Sequence, residues 1–363
     1  GGSHSDSGEE YDSEESETAQ EKKIRLTKQY LAQLKEEEQQ KSESQDIDHD
    51  AISHRLQQDL LEQSGKFQRQ IAHQFSAPQP SAVRALRGHQ LSVTCLCVSP
   101  DDKYVFTGSK DCFVIKWNIQ SGKKEGKIAT AKDTKESKGC ILALSISSDG
   151  KFLASGGKDK VIRIWDPETL KSIHAFTGHR NTVTGLAFRK ETHQLFSASL
   201  DKTVKIWNLD EMAYVETLYG HEDGITGIDS LSRDRAATTG GRDRTLRVWK
   251  VVEETQLVFN GHGGSIDCIQ LINEDHMITG ADDGSVCMWS ANKKKPLCTV
   301  NNAHSKSNDD QDDMIPNETW ITSLAVVKST DFVATAGSCD SCIRFWKCGP
   351  GYRSLNPLFT LPV

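Results

Sequence analysis

The chain has 363 residues, of which 36% are hydrophobic and 26% charged, and it carries a formal net charge of −7 at pH 7. A chain of this length can bury one large core and still carry an extension. It contains no run of 18 apolar residues and no apolar segment near residue 1, so we expect neither a membrane span nor a signal peptide.

The acidic charge is concentrated in the N-terminal part of the chain. Residues 1–76 hold 17 Asp and Glu against 9 Lys and Arg, whereas the remaining residues are close to neutral. Residues 1–19 include seven acidic residues and several serines but no Lys or Arg. Such a segment has too little apolar surface to form a core, so we predict a disordered acidic tail over residues 1–19.

Residues 20–76 have the pattern of an amphipathic helical extension. Apolar side chains recur near helical spacing from Ile24 to Leu34 and again from Ile52 to Phe75, on either side of a Ser- and Asp-rich break. We predict two helices whose apolar stripes dock on a partner or on the flank of the following domain. The Pro-containing residues 77–81 then form a linker.

Residues 82–363 are built from a repeat with a period of about 40 residues. Six tryptophans each have an Asp six positions upstream, and in five copies a Ser or Thr lies four positions before that Asp, whereas the sixth copy has Ala336 there. A Gly-His pair opens four copies, is replaced by Ala303-His304 in the sixth and is missing from the second. Period-2 alternation of apolar residues between these landmarks predicts short antiparallel strands.

This pattern resembles that of the WD40 β-propellers, which implies an all-β fold in which each repeat forms one blade. A buried Trp indole needs a hydrogen-bond partner, and a Ser or Thr hydroxyl, a His ring and an Asp can satisfy it and each other. We therefore interpret the repeated residues as a structural clamp within each blade. The predicted clamp residues are His89, Thr107, Asp111, Trp117, Ser155, Asp159, Trp165, His179, Ser197, Asp201, Trp207, His221, Thr239, Asp243, Trp249, His262, Thr279, Asp283, Trp289, Asp340 and Trp346.

The two ends of the repeat region determine the predicted number of blades. Residues 84–87 form a short predicted strand before the first Gly-His, and in WD40 proteins this strand closes the ring as the outer strand of the last blade. Residues 355–363 already match the outer strand of blade six. We therefore expect a seven-bladed propeller whose last blade is incomplete in this sequence, preceded by the α-helical N-terminal extension.

Two long insertions within the repeats are predicted to be loops. Residues 123–139 in blade two are rich in Lys, and residues 305–319 in blade six are rich in Asp and Asn. Loops on a rigid scaffold commonly carry function, so both are secondary candidates for binding.

The residues beside each turn Asp form a further pattern, which is basic in blades one to four. In a propeller these turns share one rim with the loops that carry the clamp His. Six basic side chains there are typical of a surface that binds RNA phosphates through shape and backbone. The alternative is that a Lys beside a turn Asp only keeps the turn solvated. The candidate RNA-binding residues are Lys110, Lys158, Lys160, Lys202, Arg242 and Arg244, whereas blades five and six offer Asp282 and Cys339.

The cysteines and the repeated polar residues indicate neither a metal site nor an active site. Ten cysteines, several within predicted strands, are typical of small core residues in a reducing compartment. Cys339 and Cys342 have the spacing of zinc ligands, with Cys348 nearby, but no second pair completes a tetrad. The His, Ser and Asp residues recur at blade spacing, as a clamp requires and a single active site does not. We expect no catalytic residues, no metal and no cofactor.

The sequence is more closely similar to the WD40 proteins of the U3 small nucleolar ribonucleoprotein. The similarity is carried by the first and fifth blades and by the approach DLLEQSGKFQRQIAHQFSAP, and it extends from about residue 23 to the end. It implies a non-catalytic scaffold subunit of the nucleus and nucleolus that recognises the B/C motif of the U3 small nucleolar RNA after a kink-turn-binding protein has docked. It also implies other box C/D core proteins and small-subunit processome factors as partners in pre-rRNA processing and small ribosomal subunit biogenesis.

The residues alone leave other protein-interaction functions open. A substrate receptor or adaptor of a ubiquitin ligase is the main alternative, because WD40 rings often have that role. Such a receptor normally carries an adaptor-binding domain ahead of the ring, and the charged residues 1–76 are too poor in apolar residues to form a compact one. A signalling subunit of the heterotrimer type would need a long N-terminal coiled coil, which the broken heptad phase disfavours.

Overall fold

The computed structural model describes Arg25 and residues 68–79, 83–129, 139–304 and 319–362. The chain divides into two compact units, residues 1–64 and 65–363. The predicted acidic tail and, apart from Arg25, the predicted helices up to residue 67 lie outside the described residues. Arg25 itself is helical.

The described residues of the second unit form six four-stranded antiparallel sheets, each of which is one blade. The strands of blades 1 to 3 are β1 (Val93–Val98), β2 (Tyr104–Ser109), β3 (Phe113–Asn118), β4 (Lys124–Ala129), β5 (Ile141–Ile146), β6 (Leu153–Gly157), β7 (Ile162–Trp165), β8 (Ser172–Phe176), β9 (Val183–Phe188), β10 (Gln194–Ser199), β11 (Thr203–Asn208) and β12 (Ala213–Tyr219). The strands of blades 4 to 6 are β13 (Ile225–Ser230), β14 (Arg235–Gly240), β15 (Thr245–Lys250), β16 (Thr255–Asn260), β17 (Ile266–Leu271), β18 (His276–Ala281), β19 (Val286–Ser290), β20 (Lys293–Val300), β21 (Ile321–Val326), β22 (Phe332–Gly337), β23 (Cys342–Cys348) and β24 (Leu355–Pro362).

The described residues form six blades, so the prediction of seven is wrong. Every sheet takes its four strands consecutively from the chain, and β24 is the outer strand of blade 6, as the sequence predicted. The predicted closing strand at residues 84–87 is not a strand. The guanidinium of Arg84 instead donates to the backbone oxygen of Gln120 at 2.9 Å, in the turn between β3 and β4. The predicted loop over residues 123–139 is also partly wrong, because its first half forms β4.

The predicted helical extension is wrong over residues 68–76. This segment is extended, with one 3-10 turn at Ala72–Gln74. The buried carboxylate of Asp331, at the start of β22, accepts the backbone N–H groups of Ile71 at 2.8 Å and Ala72 at 3.0 Å. The ring of Phe75 stacks on Phe332 with centroids 4.6 Å apart. Apolar residues at helical spacing therefore bind blade 6 in another conformation.

The first strand of each blade is its inner strand. The inner strands of consecutive blades pack against each other from β1 to β21, and all six line a central channel of about 230 Å³. Three channel threonines join neighbouring blades, because each donates its hydroxyl to a backbone oxygen of the next inner strand. These bonds run from Thr94 to Ile141 at 2.5 Å, from Thr184 to Ile225 at 2.6 Å and from Thr226 to Ile266 at 2.5 Å.

Blade 1 differs from the others because the described residues leave one of its faces uncovered. Val93, the first residue of β1, is 50% exposed, whereas the first residue of every other inner strand is at most 2% exposed. Leu96 is 62% exposed and its counterpart in β5, Leu144, only 8%. The other inner strands bury these positions against the preceding blade, so β1 presents an apolar face to solvent.

Candidate nucleic-acid interface

The polar clamp is complete in blades 1 and 3. In blade 3, His179 Nδ1 lies 2.9 Å from Asp201 Oδ2, and His179 Nε2 lies 2.7 Å from Ser197 Oγ. The indole Nε1 of Trp207 donates to the same hydroxyl at 2.8 Å. Blade 1 has the same arrangement with His89, Thr107, Asp111 and Trp117. The clamp ties the loop before the inner strand to the turn that carries the Asp, so these two segments share one rim.

The hydrogen bonds also set the charge of the turn Asp. Burial raises the pKa of Asp201, but hydrogen bonds from His179, Thr203 and the backbone N–H of Arg180 outweigh it and lower the pKa overall. Asp201 is therefore an anion at neutral pH. In blade 4, burial is the larger effect on the imidazole, and it lowers the pKa of His221 despite the neighbouring Asp243. This clamp imidazole is neutral at neutral pH.

Blades 4 and 6 use a hydroxyl that the sequence pattern missed. The partner of Trp249 is Thr238 and not Thr239, and the partner of Trp346 is Thr335, next to Ala336. In both blades one more residue separates the hydroxyl from the turn Asp than in blades 1 and 3. A search that allowed this insertion would have found both residues.

The clamp of blade 6 includes His304, which the predicted set omitted. His304 Nδ1 lies 2.7 Å from Asp340 Oδ2, and its Nε2 lies 2.7 Å from Thr335 Oγ1. The sequence signal was Ala303-His304, in which Ala replaces the usual Gly. His304 is fully buried, as are its counterparts in blades 3 to 5.

Blades 2 and 5 depart from the common arrangement. In blade 2, Trp165 donates to Ser155 at 2.8 Å, but the corresponding stretch of sequence has no His and Arg163 pairs with Asp159 instead. In blade 5, His262 Nδ1 contacts Ser285 Oγ at 2.7 Å, and Ser285 in turn donates to Asp283 at 2.5 Å. The Trp–hydroxyl bond is thus the part of the clamp that all six blades share.

All six candidate RNA-binding residues are exposed. Three of them follow the turn Asp and have left-handed backbones, with φ of 67° at Lys160, 72° at Lys202 and 55° at Arg244. Burial raises the pKa of the Cys140 thiol, and the nearby charges of Lys110 and Lys158 partly oppose this rise. These two lysines lie on neighbouring blades. The basic side chains therefore stand on adjacent turns of one rim and are not part of the clamp hydrogen bonds.

Acidic groups interrupt this rim at blade 4. The backbone N–H groups of Gly224 and of Arg242, the latter at 3.1 Å, lower the pKa of Asp223, and the charges of Lys202 and Arg242 lower it further. The Lys202 ammonium donates to the backbone oxygen of Glu222 at 2.6 Å. The basic residues of blades 3 and 4 thus converge on the segment that opens blade 4.

A cavity of about 450 Å³ lies at this junction of blades 3 and 4. Its lining includes Lys202 together with Arg180, Lys205 and Tyr219, none of which was singled out from the sequence. Tyr219, the last residue of β12, is 72% exposed. The signal that could have revealed it is an aromatic residue directly before the Gly-His pair of blade 4.

Within the described ranges the structure shows no group of three or more His, Cys, Asp or Glu side chains that could hold a metal ion. Cys339 is exposed and Cys348 is buried, so the cysteines of the CxxC stretch do not share one environment. No helix in the same part of the chain is long and apolar enough to span a membrane.

The comparisons with known proteins agree with this fold. The profile of the WD domain, G-beta repeat, matches residues 80–118, 130–166, 170–208, 212–250, 253–290 and 314–347. The U3 small nucleolar RNA-interacting protein 2 of Homo sapiens is 55% identical over 352 residues, which cover 96% of this chain and 73% of the relative. Ribosomal RNA-processing protein 9 of Saccharomyces cerevisiae is 27% identical, over 95% of this chain and 80% of the relative. The solved structure of U3-55K superposes with a TM-score of 0.75 and 50% identity, covering 79% of this chain and 86% of that one.

Proposed function

Because the chain belongs to the WD40-repeat family of U3 small nucleolar RNA-interacting proteins, we propose that it is a non-catalytic scaffold of the U3 small nucleolar ribonucleoprotein that supports pre-rRNA processing. The observation that carries this proposal is the 55% identity to the human relative over 96% of the chain. The repeated clamp residues support a scaffold, since they are engaged in hydrogen bonds within the blades.

The finer proposal concerns the partners and the cellular location. A chain that binds U3 RNA and acts on pre-rRNA would work in the nucleolus, beside the kink-turn-binding and other box C/D core proteins. The B/C motif of the RNA is the proposed contact. The relatives that interact with U3 RNA and process rRNA support this proposal.

We place the RNA contact on the basic rim formed by Lys110, Lys158, Lys160, Lys202, Arg242 and Arg244. These side chains are exposed and lie on the turns of four consecutive blades. Phosphate contacts by Lys and Arg supply much of the affinity for RNA and position the complex without reading sequence. The clamp beneath the turns holds them in place, so the charges form a fixed arc that suits a folded RNA backbone.

The test of this rim is a charge reversal of Lys158, Lys160, Arg242 and Arg244 to Glu. We expect strong loss of U3 RNA in crosslinking and copurification, while the melting temperature stays the same because these residues lie outside the clamp. A matched reversal of Lys171, Lys293, Lys294 and Lys295, exposed residues directly before the outer strand β8 and within the outer strand β20, should leave RNA binding nearly unchanged.

A salt titration makes the test quantitative. Replacing one rim residue should reduce the slope of log affinity against log salt by roughly 0.7 to 0.9, equally for RNAs of different sequence but the same shape. If the fourfold variant keeps the same RNA and the same slope, the RNA contact lies instead in the Lys-rich residues 123–138 or on partner proteins. Copurification of ubiquitin-ligase subunits in place of the RNA would contradict the proposed function itself.

A further inference from the structure

The cavity between blades 3 and 4 combines an exposed aromatic ring with several cations. Its lining includes Arg180, Asp201, Lys202, Lys205 and Tyr219. Its volume of about 450 Å³ lies within the usual range for small-ligand sites. Three cationic side chains face one carboxylate, so the cavity favours an anion.

The exposed ring of Tyr219 is not explained by the fold. In the other blades that have a Gly-His or Ala-His pair, the residue before the pair is not aromatic, and the clamp still forms. These residues are Arg87 in blade 1, Thr177 in blade 3, Asn260 in blade 5 and Asn302 in blade 6. Tyr219 pairs through its backbone with Thr203 at the open end of β12. A ring that is 72% exposed contributes little to the core.

The cations around Tyr219 are held by contacts on the protein side. The backbone N–H of Arg180 donates to Asp201 at 2.9 Å, which fixes the base of this exposed side chain. The Lys205 ammonium donates to Thr217 Oγ1 at 2.7 Å, and the Lys202 ammonium donates to Glu222 O at 2.6 Å. Asp201, the carboxylate of the lining, is occupied by His179, Thr203 and the Arg180 N–H. The positive charge of the cavity is therefore only partly balanced.

We propose that this cavity holds one unstacked nucleotide of the bound RNA, with its base on the ring of Tyr219 and its phosphate facing Arg180 and Lys202. Proteins recognise single-stranded RNA by stacking splayed bases on aromatic side chains next to basic groups. The proposal rests on the proposed RNA-binding function and deepens it, since it gives the basic rim one point of base contact. An acidic peptide could use the same charges, but the RNA is favoured because the cavity is continuous with the rim through Lys202.

The experiment compares Tyr219→Ala, Tyr219→Phe and Val215→Ala in the full chain, with transcribed U3 small nucleolar RNA in the presence and absence of the kink-turn-binding protein. Loss of one base–aromatic stack corresponds to roughly a 5- to 150-fold rise in Kd for Tyr219→Ala. Tyr219→Phe keeps the stacking face and should retain the affinity. Val215 is an apolar residue of the same strand, 51% exposed but outside the cavity lining, so Val215→Ala should bind like the wild type.

Two further measurements identify the ligand and its charges. Tyr219→Ala should leave the salt slope unchanged because it removes no cation, whereas Arg180→Ala and Lys202→Ala should each make it shallower. Ultraviolet crosslinking followed by mass spectrometry should place a nucleotide adduct on Tyr219. An unchanged Kd for Tyr219→Ala, an equal loss for Val215→Ala, or a crosslink from Tyr219 to a protein would overturn the nucleotide site. Wild-type chain that captures no RNA at all would instead overturn the proposed function.

Discussion

The hydroxyl of Thr238 lies 2.8 Å from the indole Nε1 of Trp249 and accepts its hydrogen bond. The same hydroxyl lies 2.8 Å from His221 Nε2, so it is the centre of the clamp in blade 4. The next residue, Thr239, turns its hydroxyl toward Thr226 at 3.0 Å, on the channel side of the sheet. Two adjacent buried threonines therefore have different roles.

Thr238→Val should destabilise the protein far more than Thr239→Val. Both changes preserve the shape of the side chain, but the first leaves the buried groups of Trp249 and His221 without a partner, which costs about 1–3 kcal/mol. The second leaves Thr226 bonded to the backbone oxygen of Ile266 at 2.5 Å, so its cost should stay below about 1 kcal/mol. Chemical denaturation of the two variants measures the difference. Equal losses would show that Thr238 is not the centre of the clamp.

The clamp shows why part of the site could be predicted from sequence. Trp207 and Asp201 lie on one strand and its adjoining turn, so their spacing is constant and visible in the sequence. The hydroxyl lies across the turn, where one inserted residue in blades 4 and 6 moves it without changing the fold. The position of Thr238 therefore depends on strand register, which the spacing of residues does not reveal.

The N-terminal segment and the number of blades could not be predicted for a different reason. Ile71 and Phe75 have helical spacing, but the carboxylate of Asp331 captures the backbone amides at Ile71 and Ala72 and replaces the bonds of a helix. The short segment at 84–87 looks like a strand, yet a strand exists only where a partner edge is free. Blade 6 has no free outer edge beside β23, because β24 occupies it.

Leu96→Lys should be tolerated, whereas Leu144→Lys should unfold or strongly destabilise the chain. These leucines occupy the same position of β1 and β5, but Leu144 is buried against blade 1 and Leu96 is 62% exposed. A charge placed at the position of Leu144 would lose the water around it, which strongly destabilises the fold. A substitution at the exposed position of Leu96 should change the free energy of unfolding by no more than about 0.5 kcal/mol. Thermal unfolding and soluble yield report both effects. A loss at Leu96 as large as that at Leu144 would mean that the face of β1 is covered in the molecule.

Asp331→Ala should release residues 71–75 from blade 6 because both captured amides lose their acceptor, whereas backbone bonds to Ser329 and Asp331 still hold Arg69. Hydrogen–deuterium exchange at Ile71 and Ala72 should then rise by several orders of magnitude toward that of a free peptide, while exchange in blade 3 stays the same. Asp331→Asn is the matched control, since its amide oxygen can still accept both N–H groups. Unchanged protection in Asp331→Ala would show that the Phe75–Phe332 stack and the backbone bonds of Arg69 hold the segment without the carboxylate.

The junction of blades 2 and 3 should weaken as the pH rises. His193 Nε2 lies 2.8 Å from Asp149 and its Nδ1 2.5 Å from Asp210, and these hydrogen bonds, that with Asp149 first, raise the pKa of His193 above its ordinary 6.5. A group whose pKa is raised in the folded state stabilises the protein fully below its unfolded pKa and ceases to do so as the pH passes its folded pKa. The bridge should therefore contribute most below pH 6.5.

The matched variant for this pH dependence is His193→Gln. Subtracting its unfolding free energy from that of the wild type at each pH removes the contribution of His221, His262 and His304, whose pKa is lowered by burial and which respond to pH in the opposite direction. The difference should be largest in the acid range and shrink as the pH rises above 6.5. A difference that grows with pH would contradict a protonated His193 in the folded protein.

The residue after the turn Asp has a left-handed backbone, and its charge can change without affecting the stability of the blade. Lys160, Lys202 and Arg244 hold φ values of 67°, 72° and 55°, and blade 5 places Gly284, at 73°, in the same position. Because glycine adopts this backbone freely, each cation can be exchanged for glycine with relief of strain and no change in the core. The charge pattern of the rim can therefore be rewritten one blade at a time without disturbing the hydrogen bonds of the clamp.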